Sequence, residues 1–167
     1  GKLLTWILNS PQGQEEARQA NNHSTAHDAQ VIAFAMYAGN MKVAREVINA
    51  IPRKRLFTQI EPDGKQPHEL RRTLAFGYSQ FNLSHFIFMM ARKIGISIDN
   101  ATSEDGRSFY KAMDFLVPYV GKDVKAWPYQ QISEWKYKQQ EFCKDLYRTF
   151  LLNPERKDYL KLYKTHR

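Results

Sequence analysis

Apolar residues return at helical spacing in nearly every segment of this chain, and that leaves few folds open to it. Val31, Phe34, Ala35 and Ala38 stand at i, i+3, i+4 and i+7, one apolar face of a helix predicted over about 25–38. Thr25, followed three residues later by Asp28, reads as its N-terminal cap, and Gly39-Asn40 as its left-handed end. Met41, Ala44, Val47, Ile48 and Ile51 form a second face that Pro52 closes, so the two segments predict a helical hairpin. "KLLTWILNS" carries Leu3, Leu4, Ile7 and Leu8 at the same spacing with no capping residue before them, and the chain is expected to open inside a domain. "RKRLFTQIEPDGKQP" is expected to be irregular, because Pro62, Asp63-Gly64 and Pro67 are turn chemistry. A short helix and a long apolar one ending at Gly95 are expected in "PHELRRTLAFGYSQFNLSHFIFMMARKIG", and further helices in "EDGRSFYKAMDFLVPYVG" and "ISEWKYKQQEFCKDLYRTFLL". "PERKDYLKLYK", with Pro154 at its first position, is the last. Helices joined by short loops predict a single all-α domain over 1–167, its antiparallel hairpins stacked as a bundle, solenoid or toroid.

Composition bounds the partners. Lys and Arg number 25 against 17 Asp and Glu, a net charge of +8 in 167 residues. Such a balance favours a polyanion: nucleic acid, an anionic membrane or an acidic polysaccharide. A single cysteine, Cys143, excludes an internal disulfide and a thiolate zinc site. No apolar run reaches membrane-spanning length, and no signal peptide opens the chain.

Two amides and an imidazole, Asn21, Asn22 and His23, fall just before the predicted start of the first long helix. That places Asn22 and His23 at the positive end of a helix dipole, where free N–H groups suit a carboxylate. Polar residues at a helix entrance are also common without any function, with His23 a satisfied loop histidine, and this segment taken alone favours that reading.

"NNHSTAHDAQVIAFAMYAGN", "QIEPDGKQPHELRRTLAFGYSQFNL", "DGRSFYKAMDFLVPYV" and "WPYQQI" occur in an order and spacing that resemble the alginate lyase family of polysaccharide lyases, over about residues 19–132. The resemblance implies a toroid of antiparallel α/α hairpins around a cleft, and cleavage of an acidic polysaccharide such as alginate by β-elimination. It implies further that this region is the later part of a catalytic domain whose N-terminal hairpins are contributed by chain not included here. A periplasmic or secreted location follows from the same likeness. No cofactor, metal, nucleic-acid or membrane partner is expected.

The chemistry demanded by such a substrate can be set against these residues. A uronic acid carries a carboxylate on C5, and the C5 proton is too weakly acidic to remove until that charge is neutralised. Asn22, His23 and an arginine are candidate donors to the enolate-like intermediate. Tyr78 is the candidate proton-transfer group, serving as base at C5 and as acid to the leaving oxygen; its phenol needs a cationic setting for this. Arg72 matches the family's "RTLAFGY" and Arg71 is its alternate. His23 is the second candidate base.

Substrate contacts are assigned to Asn21, Arg71, His27, Asn82, His85, Trp127 and Tyr129. Tyr78, Asn82 and His85 share one helix face at i, i+4 and i+7 and are expected to line a cleft. His27 departs from the aromatic residue of relatives, which puts one subsite contact in question. Each assignment has an alternative that the sequence leaves open. Tyr78 could be a core aromatic, Arg71 and Arg72 a solvated helix end, His85 a buried histidine, and Trp127 an anchor for its loop. Trp135 stands with Trp127 and Tyr129 as a sugar-stacking candidate. His23 and His27 are four apart, a zinc-binding spacing on a helix, but with His23 placed before the cap that geometry is not expected. Glu61 and Asp63 have the pairing of glycosidase carboxylates, yet Pro62 and Gly64 favour a turn. Lys136, Lys138, Lys144, Arg148, Arg156, Lys157, Lys161 and Lys164 form a basic C-terminal surface. That surface motivates two alternative functions: a helical nucleic-acid-binding module, or a family member that binds polysaccharide without cutting it.

Overall fold

In the computed structural model, which describes residues 1–167, the first packed pair is α1 (Lys2–Asn9) with α2 (Pro11–Arg18). The next is the hairpin of α3 (Asn22–Tyr37) and α4 (Met41–Ile51). Single turns follow at α5 (Phe57–Gln59) and α6 (Pro67–Leu70), then α7 (Ala75–Met90), α8 (Phe109–Leu116), α9 (Trp135–Leu152) and α10 (Lys157–His166). There is no strand, only isolated bridges at Leu74–Gln131 and Thr102–Ser108. No helix is long and apolar enough to cross a membrane. Among the long helices α7 is central, packing on α3, α6, α8 and α9. Its Phe76, Leu83, Phe86 and Met89 are fully buried in one cluster with Phe109, Phe142 and Tyr159. That burial is what a helix apolar nearly all round requires.

Several helix ends differ in detail from expectation. α3 begins at Asn22, because Asn21 is its cap: Asn21 Oδ1 accepts from the His23 backbone N–H at 3.2 Å. Thr25 and Asp28 are instead buried inside the helix. α4 ends at Ile51 with Pro52 as its C-cap, as expected, but the helical backbone continues. Lacking an N–H, Pro52 lets the ladder widen into a π-type turn over Pro52–Leu56, closed by the Phe57 N–H on the Pro52 carbonyl. Arg55 and Leu56 are buried there, so part of the segment expected to be irregular belongs to the core. Pro154 lies in the turn before α10, which starts at Lys157. Gly39, at φ 72°, supplies the left-handed step that ends α3, as its position predicts.

Asp145 on α9 is fully buried, held by Gln80 Nε2 at 2.6 Å and Arg148 Nη1 at 2.8 Å. Burial pushes its carboxyl up to about 6 despite those hydrogen bonds. The native state therefore binds this proton more tightly than the unfolded chain, and Asp145 should add stability as pH falls through 6 toward 3.8. A shift of that size corresponds to about 3 kcal/mol. Urea unfolding of the wild type and of Asp145→Asn between about pH 7 and pH 4 should differ in slope by this contribution; parallel profiles would refute it.

Candidate active site

The first turn of α3 is built by residues from three other segments. Glu69 of α6, 1% exposed, takes both the Asn22 backbone N–H at 2.6 Å and its Nδ2 at 2.8 Å. Burial pushes the Glu69 carboxyl up, against the hydrogen bonds from Asn22 and the charge of Arg72. The helix N-terminus thus already holds a carboxylate belonging to the protein, and toward an anion Asn22 offers only the second hydrogen of its side-chain amide. His23, about half exposed, points its Nδ1 at Glu16 Oε2 of α2 across 2.8 Å. An ionised carboxylate can only accept, so this ring nitrogen carries the hydrogen, and in the neutral imidazole the lone pair is on Nε2.

α7 has no side-chain cap of its own at Leu74; Gln131 supplies one from a distant loop, its Oε1 accepting from the Phe76 N–H at 3.0 Å. The bridge between Leu74 and Gln131 holds that loop in place. Tyr78 follows one turn later, half-buried, with the Arg72 guanidinium stacked 3.9 Å from its ring centroid. A cleft of about 400 Å³ unites these parts: Asn22, His23, His27, Arg72 and Tyr78 line it together, with Glu16 beside them. Trp6 and Phe81, 55% and 42% exposed, form apolar parts of the wall.

The sequence profile of the alginate lyase family matches residues 1–127. The chain belongs to the alginate lyase family. It superposes on the crystal structure of an alginate lyase from Bacteroides ovatus with a TM-score of 0.95 and 48% identity, over 99% of this chain and 44% of that one. The chain therefore spans less than half the length of this structural relative. No curated protein matches. The hairpins are part of the (α/α) toroid of alginate lyases. The family match reaches back through α1 and α2, beyond the motifs at 19–132, and the structural likeness extends forward through α9 and α10.

Within this alginate lyase fold the remaining candidate residues divide. Arg71 is exposed and donates to His68 Nδ1 at 2.7 Å, away from the cleft that Arg72 enters. Asn21 is occupied as the α3 cap. His27 lines the cleft but is 7% exposed, with Nδ1 at Asp28 and Nε2 at the Ile7 carbonyl. Asn82 does not face the cleft: fully buried, it donates to Gln59 and Gln66 at 2.9 Å each. Gln59 in turn accepts from Thr25 and donates to Ser24 and the Asn21 carbonyl, so this buried amide network fixes the start of α3 against α7. His85 points into a different groove with Asp145 and Arg148, its Nδ1 on the Phe81 carbonyl, and burial lowers its basicity. The expected polar stripe therefore splits three ways, because a helix wrapped by neighbours has no single open face.

Trp127, 5% exposed, is a core anchor rather than a sugar platform, packed edge-on against Phe76 and Tyr119. Tyr129 packs on Trp127, and Trp135 on Phe76 while its Nε1 donates to the Lys122 carbonyl. Glu61 and Asp63 form a turn, with Asp63 paired to Lys65 at 2.9 Å. His23 and His27 do share α3, yet their Nδ1 atoms are held by Glu16 and Asp28, and no group of three or more acidic, His or Cys side chains is arranged around a metal position. In the basic tail Lys144, Arg148 and Arg156 are paired internally with Glu141, Asp145 and Asp114. Glu16, Glu69, Trp6 and Gln131 have no place in the sequence-level site. Glu69 and Gln131 lie inside the family-like motifs, which was their one available signal; Glu16 and Trp6 had none.

Proposed function

We propose that this chain carries part of the catalytic centre of a polyuronate lyase that cleaves alginate or a related acidic polysaccharide by β-elimination. The observation that supports this best is the convergence of Asn22, His23, Arg72 and Tyr78 on one cleft from three separate segments. Arg72 and the free amide hydrogen of Asn22 neutralise the C5 carboxylate, so that charge moving onto it during proton loss is stabilised. The base takes the C5 proton, the C–H electron pair forms the C4–C5 double bond, and the C4–O bond breaks. Tyr78 protonates the departing oxygen, leaving an unsaturated uronate and a new chain end. Tyr78 also serves as base where proton and leaving group lie on the same side of the ring; His23 Nε2, aimed by Glu16, serves where they lie on opposite sides. Secretion or a periplasmic setting goes with such a polymeric substrate.

The test is the full-length protein incubated with alginate, glucuronan and neutral glucans, read by the ultraviolet absorbance of the unsaturated product. Product from a polyuronate alone is expected. Polyuronate binding without product would point to a non-catalytic family member, and neither would overturn the reading. Glu16→Ala should lower kcat by roughly 10- to 150-fold with little change in KM, since removing one hydrogen bond to a charged group costs roughly 1.5–3 kcal/mol in ring placement. An unchanged kcat on a polymer whose proton and leaving group lie on opposite sides of the ring would remove Glu16 from the chemistry.

A further inference from the structure

Tyr78 and Phe81 line a second hollow besides the cleft, about 230 Å³ in volume, walled by Leu74, Gly77, Glu134 and Lys138. Tyr78 and Phe81 line both hollows, so a polymer lying in the cleft with its reacting unit at Tyr78 has a place for its next unit. Lys138 enters from α9 and is half-buried, yet no carboxylate of the protein lies within ion-pair distance of its ammonium. Its stem is seated by an unusual neighbour. Gly77 stands inside α7, where glycine costs about 1 kcal/mol relative to alanine. A Cβ there would come within 3.1–3.2 Å of Lys138 Cγ, Cδ and Cε. The missing side chain lets the lysine lie flat on the Tyr78 helix, one residue from the tyrosine itself. Its ammonium stands 5.2 Å from the Tyr137 ring centroid.

We propose that Lys138 anchors the carboxylate of the uronate unit adjacent to the one that reacts at Tyr78. The inference rests on the polyuronate reading above and deepens it: each unit of such a polymer carries a carboxylate, and an unpaired ammonium is a point charge matched to it. Glu134 shares the hollow and is exposed. Its negative charge opposes an acidic ligand, which leaves Lys138 as the group that makes the hollow receptive to one.

Calorimetric binding of a tetrauronide to the full-length protein tests this in a Tyr78→Phe background, which slows turnover during titration. Lys138→Gln should raise Kd about tenfold, the loss of one charge-assisted contact. Lys138→Arg, keeping the charge, should stay within about threefold, and melting curves should show all proteins folded. Gly77→Ala should weaken binding in the same direction with Lys138 still present, by displacing its stem. Equal Kd values for Lys138→Gln and its parent, with unsaturated product from the wild type, would overturn the role of Lys138 and leave the lyase reading standing. No product and no binding of the tetrauronide by the parent would overturn the lyase reading and Lys138 with it.

Discussion

On the proposed lyase reading, Tyr78→Phe should lower turnover of the full-length protein by roughly 10²- to 10⁴-fold, the range contributed by a general acid–base group, while its melting temperature moves little. The substitution removes one hydroxyl and keeps the ring on which the Arg72 guanidinium lies at 3.9 Å. The cation–π contact and the cleft wall therefore survive, and substrate binding should be close to that of the wild type. A residue serving only as packing would give the opposite pattern: a lowered melting temperature and near-normal turnover. Initial rates and melting curves for the same preparation decide between the two.

Arg55→Met should be the most damaging stability change outside the apolar core. Arg55 and Asp28 are 5% and 4% exposed, with Arg55 Nε 2.6 Å from Asp28 Oδ2 and Nη2 also donating to the Ala17 carbonyl. Burial opposes ionisation of Asp28, but hydrogen bonds from His27 and Arg55 outweigh it and hold the carboxyl below its ordinary range. Removing the arginine leaves a buried charge without its partner, a loss of about 3–5 kcal/mol, or roughly 6–20 °C in melting temperature for a chain of this size. Arg55→Met/Asp28→Asn should lose less than the single variant, because asparagine strands no charge. The sign with pH follows from the lowered carboxyl: the pair contributes fully above the ordinary aspartate range and loses its contribution as pH falls below it. A single variant as stable as the wild type would show that the pair is neutral. Because Arg55 ties α2 to α3, the same loss should loosen Glu16 relative to His23.

Much of the architecture was legible in the residues because it depends on period and punctuation, which are local. The face of α4, the glycine end of α3, the long apolar α7 and the all-helical character follow from spacing and turn residues, whereas α3 is buried on several sides and its Ala38 is exposed. The motif order carried the family, and with it Asn22, His23, Arg72 and Tyr78 as a set. What the residues did not reveal concerns which polar groups face each other. Asn21 rather than Thr25 caps α3 through the His23 N–H, and Glu69, forty-seven residues away from Asn22, takes the Asn22 N–H that this local cap leaves free. Asn82 and Tyr78 lie on neighbouring turns of one helix, yet one is sealed under Gln59 and Gln66 while the other opens on the cleft.

Chain spacing determined that these side chains share elements; only the packing of α2, α6 and α9 around α3 and α7 decided which of them reach solvent and what holds them. A hydrogen bond between distant segments leaves no period in a sequence. Glu16 on His23, Glu69 on Asn22, Gln131 on the start of α7 and Lys138 on Gly77 became visible only when the helices stood side by side.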